Sequence, residues 1–202
     1  MKHSPCLFPA AAVLSLLPSM AFAHSPIKGI GNFYAGLLHP VIVPAQLMLL
    51  LAVGFLFGQR IKEMGTPILT FMGASMLGLM ATRFSMGINV EIGLLVASAL
   101  SGLLVAANLR IPMVCYIIIG AFSGSVIGFD SAQENLSGMA KIVALLGSLV
   151  GIHLTLLYAM GFADYFTKYT WQRTGIRVLG SWVAAISFLV LSLSLKKAGV
   201  TH

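Results

Sequence analysis

The chain has 202 residues, of which 58% are hydrophobic and only 8% charged. That balance excludes an ordinary soluble domain, where charged residues make up about a quarter of the chain. The formal charge of +7 comes from twelve Lys and Arg scattered without a basic run, so it does not mark a nucleic-acid binder.

Taken in chain order, residues 1–23 read as a secretory signal peptide. Lys2 and His3 supply the positive start, Leu7 to Leu17 the short apolar core, and Ala21-Phe22-Ala23 the small-x-small cleavage site. Cleavage would remove Cys6 and leave Cys115 as the sole cysteine, with no intramolecular disulfide partner. The mature chain, 24–202, opens on His24-Ser25-Pro26 outside the cytoplasm. No repeat, low-complexity tract or linker divides it, and one domain is expected.

Gly29 to Arg60 is the most unusual stretch. His39 and Pro40 stand at the mouth of an apolar run that Pro44 and Gln46 interrupt before Leu47 to Gly58 continues it. Polar groups at membrane depth are costly unless protein or water covers them. His39 and Gln46, seven residues apart, would share one helix face, with a bend at Pro44 between them. The stretch reads as a helix lining something.

Six apolar runs follow, at roughly 41–58, 66–82, 92–109, 111–129, 138–163 and 178–195, each near the length that spans a bilayer. They predict an all-α membrane protein, a bundle of about six transmembrane helices. Six spans after a cleaved signal leave both mature ends on the periplasmic side of a bacterial inner membrane. Arg60, Lys62, Arg110, Lys168, Arg173 and Arg177 then fall on the cytoplasmic side. Asp164 to Arg177 mixes aromatic and cationic residues and suits a segment lying at headgroup level.

Small residues mark close helix contacts. Gly120, Gly124 and Gly128 recur every fourth residue in the fourth run, and Gly147 and Gly151 do so in the fifth. The fourth and fifth spans are therefore expected to pack together and to turn His153 inward.

His39 suits a borderline cation such as nickel, zinc or copper, and equally a hydrogen-bonded cap beside Pro40. His153 is an intramembrane imidazole, a functional candidate or a satisfied packing group. Gln46 can line a watery path. Met72, Met76 and Met80 form a thioether stripe that could serve a soft ion such as Cu(I), although methionine more often fills gaps in apolar packing.

These residues sit in a pattern that resembles the HupE/UreJ family of membrane proteins, regarded as nickel or cobalt permeases. The likeness covers the whole length: signal peptide, mature N-terminal His24, the Gly-Asn-Phe-Tyr-Ala-Gly-Leu-Leu-His-Pro opening, then six spans. The family's first motif is a His, five residues, then Asp-His; here His39 matches, but Ala45 and Gln46 follow. The second runs Phe-His-Gly-x-Ala-x-Gly-x-Glu and reads here Phe122-Ser123-Gly124-Ser125-Val126-Ile127-Gly128-Phe129-Asp130. A later family His is matched by His153.

The resemblance implies a secondary or passive permease moving Ni2+ or Co2+ through the lipid bilayer, with no permanently bound cofactor. It leaves His39, His153, Asp130 and the entry residue His24 as metal ligands, and Gln46, Ser123 and Ser125 as pore-lining groups. Ala45, Gln46 and Ser123 stand where the family has anionic or imidazole ligands, so the expected activity is altered or weakened. A non-transporting membrane accessory or assembly subunit is the alternative. A remote third reading is an intramembrane hydrolase using Ser123 with His153 as base. No phosphate loop, nucleotide fingerprint or haem motif occurs in the sequence, which excludes primary active transport by this chain alone.

Overall fold

The computed structural model describes residues 31–82, 90–131 and 136–200. The expected signal peptide and His24 lie outside them. Seven α-helices form the described part: α1 (Asn32–Ile42), α2 (Pro44–Gly58), α3 (Gly65–Ala81), α4 (Glu91–Ala107), α5 (Met113–Asp130), α6 (Gly138–Tyr165) and α7 (Thr170–Val200). A short 3-10 turn, Ile61–Glu63, joins α2 to α3. No strand occurs among the described residues.

Helices α5, α6 and α7 are each long and apolar enough to cross a membrane. α1 and α2 pass that test together, although they meet at 70°. α3 and α4 are apolar helices of 17 residues, at the short end of the spanning range of about 17–25.

The direction of each helix follows from its close contacts, because only glycine lets backbones approach this far. On α5, Gly120, Gly124 and Gly128 lie in turn against the carbonyls of Pro67, Phe71 and Ser75 on α3, so the two run parallel. Gly147 and Gly151 of α6 lie against Phe33 and Leu37 of α1, again in parallel. Gly54 and Gly58 of α2 follow Ala159 and Ala163 along the same α6. α4 and α7 are antiparallel: Val105 meets Gly180, Gly102 meets Ala184, and Ser98 bonds Ser187 at 2.8 Å. With α1 and α2 counted as one bent passage, the first and fifth passages run together, the second and fourth run together, and the third and sixth are opposed, as alternating crossings would require.

This pairing corrects one expectation. The two glycine stripes do not join the fourth and fifth spans; one holds α5 to α3 and the other holds α6 to α1. An i, i+4 stripe states that a neighbour comes close without naming it.

A second correction concerns the first span. His39 and Gln46 do not share one helix face, because the chain breaks between them at Val43, which is extended (φ −81°, ψ 109°). A residue before proline is disfavoured in the helical region, while Pro44 suits the first position of the new helix. α2 then occupies the centre. Its residues 52–58 are buried without interruption, as expected of a helix with no polar face. Leu49, Leu50, Val53 and Phe57 anchor the core.

A third difference lies at Asp164 to Arg177. No proline, and no glycine before Gly175, interrupts that stretch, so α6 continues to Tyr165 and α7 restarts at Thr170. Only a four-residue turn remains. Tyr165, Tyr169 and Trp171 are exposed around it.

Candidate functional site

Gln46 lies in the first turn of α2 and is fully buried. A buried carboxamide is destabilising unless bonded, and its Nε2 donates to Asp130 Oδ2 at 2.7 Å. Asp130 is the last residue of α5. A carboxyl there faces the negative end of the helix dipole, and the amide donor offsets that. The Gln46 Oε1 has no hydrogen-bond partner.

Ser123 stands two turns before Asp130 on the same α5 face. It is fully buried, and its hydroxyl has no partner. Serines in helices commonly return their proton to the preceding turn. Ser125 does so to Ala121 at 2.9 Å and Ser131 to Ile127 at 2.7 Å, but Ser123 does not. Ser148 on α6 is also buried with an unpaired hydroxyl. The α2–α5 seam therefore runs from Phe57 against Tyr116 at one end to Gln46 against Asp130 at the other, with Ser123 between.

Across α5, Gly124 and Gly128 bring Ser75 of α3 close. His153 of α6 reaches that serine, Nε2 to Oγ at 3.1 Å, and its ring meets Phe71 edge-on at 6.4 Å. The Ser75 hydroxyl also donates to the Met72 carbonyl at 2.8 Å. A serine has one proton to give. With that proton on Met72, His153 is the donor through Nε2–H, and its lone pair sits on Nδ1. A metal-ligating histidine is commonly oriented in this way by a second bond from its other nitrogen.

Several expected groupings are absent. Among the described residues no three His, Cys, Asp or Glu side chains gather into a group able to hold a metal ion, so His39, His153 and Asp130 do not form one site. His39 is half-buried on α1, beyond the Val43 break from Gln46. Ser125 is exposed on α5 and borders an apolar depression with Leu77 and Phe129. Met76 and Met80 are more than half exposed, and Met72 is half-buried. The Ser123–His153 dyad does not form, because His153 engages Ser75. Sequence reading missed Ser75; its signal was the small or apolar face Phe71, Ser75, Gly78, Leu79, all buried, beside the more conspicuous methionines.

The fold and this interior define a polytopic α-helical membrane protein whose bundle encloses a carboxyl, an imidazole, a carboxamide and unpaired hydroxyls. The chain belongs to the HupE/UreJ family: the family model described as HupE / UreJ protein matches residues 12–190. No curated protein and no solved structure matches it.

Proposed function

We propose that the protein is a low-affinity permease for nickel or cobalt, of passive or secondary type, working with an altered ligand set. Family membership supports handling of these metals. The observation that carries the reading is the set of buried oxygens without partners, Gln46 Oε1 and Ser123 Oγ, on the seam that ends at Asp130. Unpaired acceptors inside an apolar bundle are costly, and a hydrated cation passing along the seam would satisfy them. Neutral oxygens do not fully offset dehydration of a divalent ion, so the ion would keep part of its water and bind weakly.

A second reading has its own support. With no three-ligand group among the described residues, the chain could persist as a non-transporting accessory subunit that keeps the bundle. Uptake of radioactive nickel and cobalt by cells expressing the protein, against an empty control and an Asp130→Ala variant, separates the two. The permease reading expects uptake above the control that falls with Asp130→Ala. Uptake equal to the control, with the protein folded in the membrane, favours the accessory subunit.

A further inference from the structure

At the end of the bundle remote from Gln46 and Asp130, a cavity of about 310 Å³ opens between the ends of α2 and α4 and the turn from α6 to α7. Arg60, Arg110, Arg173 and Arg177 line it, with Glu63 as the only carboxylate of the lining. Its size falls at the lower end of ligand pockets, about 300–1,000 Å³. The four arginines come from three separate parts of the sequence. Composition showed no basic run, and folding makes the cluster.

Three of these side chains are held in place. Arg60 Nη2 donates to the Leu109 carbonyl at 3.4 Å, Arg173 Nε to Thr167 at 2.7 Å and Arg177 Nε to Ala106 at 2.7 Å. Each guanidinium has five N–H donors, so one bond fixes its plane and leaves the others for a ligand. Part of the arrangement serves α4, which ends at Asn108 in the left-handed region (φ 51°), where cations favour the exposed carbonyls. One or two arginines suffice for that, and four cations facing one carboxylate leave a surplus of positive charge. That sign is wrong for the mouth of a divalent-cation route, so the cavity has a purpose separate from the seam at Asp130.

Depth narrows the ligand. Exposed Tyr165, Tyr169 and Trp171 surround the same turn, the residue types that settle at the headgroup layer. Lys168 lies over the Tyr165 ring at 4.8 Å. Guanidinium forks match phosphate oxygens two at a time, and basic pockets between membrane helices suit lipid phosphates.

We propose that this cavity is a binding site for a phosphate-bearing anion, and that the anion is the headgroup of an anionic phospholipid. The test uses full-length protein purified in neutral detergent. Native mass spectrometry reads retained lipid, and Tm is followed with added cardiolipin, phosphatidylglycerol, phosphatidylcholine of the same chains, or inorganic phosphate. Anionic lipid at about a hundredfold excess over Kd should raise Tm by about 5–10 °C. Arg110→Gln, at the exposed rim, should weaken this lipid binding about tenfold with little change in Tm of the lipid-free protein. Arg177→Lys keeps the charge but not the fork and should weaken it less. An equal effect from inorganic phosphate, lost in Arg110→Gln, would keep the phosphate site and overturn its assignment to lipid. Equal stabilisation by phosphatidylcholine, or unchanged binding in Arg110→Gln, would overturn the site itself.

Discussion

Gln46 and Asp130, 84 residues apart, meet at 2.7 Å and tie the start of α2 to the end of α5. The bond joins Gln46, where the family resemblance implies a histidine, to Asp130, whose carboxylate stands where it implies a glutamate. It also explains how a fully buried carboxamide is tolerated at the head of the central helix.

Removing the donor tests this. Gln46→Leu keeps volume but leaves the Asp130 carboxyl without its amide, a loss of about 1–3 kcal/mol. In a chain of this size that corresponds to a Tm lower by about 2–12 °C in detergent. Asp130→Asn retains an acceptor oxygen and should lose less. Equal Tm values for all three proteins would mean that the bond does not form.

The proton assignment on His153 predicts a spectroscopic result. With the Ser75 proton on Met72, Nε2 of His153 is protonated and Nδ1 is not. Nitrogen NMR of the protein labelled at histidine should show that tautomer for His153. Ser75→Ala removes the acceptor and should mix the two tautomers, with nickel uptake falling several-fold if His153 serves the ion path. A pure Nδ1–H tautomer in the unaltered protein would contradict the geometry.

The glycine contacts make a stability prediction with an internal control. A side chain at Gly124 would strike the Phe71 carbonyl, whereas nothing stands within 4 Å of the corresponding position at Gly73. Gly124→Leu should therefore abolish folded protein, since backbone cannot move aside as a side chain can. Gly73→Leu should accumulate normally. Membrane-extracted yield and size-exclusion profile measure both.

Much of this was readable in the sequence, and the reasons differ by feature. Apolar runs longer than a soluble core needs can only be buried in lipid or in each other, so the all-α bundle followed from hydropathy, whereas the helix ends did not: α1 begins ahead of the first run and α7 extends past both ends of the last. His39, Gln46, Ser123, Asp130 and His153 stood out because polar groups are rare there. Their partners did not, because which helices pair depends on contacts between residues far apart in the chain that no local pattern encodes: Ser75 with His153, 78 residues apart, and Gln46 with Asp130, 84 apart. The break at Val43 was half visible, in that Pro44 announced a bend but not that a new helix begins at the proline itself. The arginine cavity was invisible for the same reason as the pairings.

Orientation gives a further expectation. If the signal is cleaved and the chain crosses six times, the C-terminus lies outside. A phosphatase reporter fused after His202 should be active, and a fluorescent protein that folds only in the cytoplasm should stay dark. The reverse pattern would require an odd number of crossings, and the bent α1–α2 pair would then be re-entrant, leaving by the side it entered.

Restoring the family ligands tests the mechanism most directly. Ala45 adjoins the core beside Gln46, and Ser123 is fully buried two turns from Asp130. Ala45→Asp, Gln46→His and Ser123→His together would put a carboxylate and two imidazoles along the seam, and an imidazole at 46 can still donate to Asp130. Outer partners alone change metal affinity about 10–100-fold, so regained direct ligands should change it by at least that much. The added volume at 123 opposes this, since overpacking a filled core costs about 1–3 kcal/mol. Tm must therefore be measured beside uptake, so that a misfolded variant is not mistaken for an inactive one. With the fold intact, nickel accumulation at low external concentration should rise at least tenfold over the native chain and should fall again when His39→Ala is added. Native uptake that already equals the restored variant and ignores His39→Ala would sink the altered-ligand reading. No uptake by either protein, with both folded, would leave the bundle as an accessory subunit.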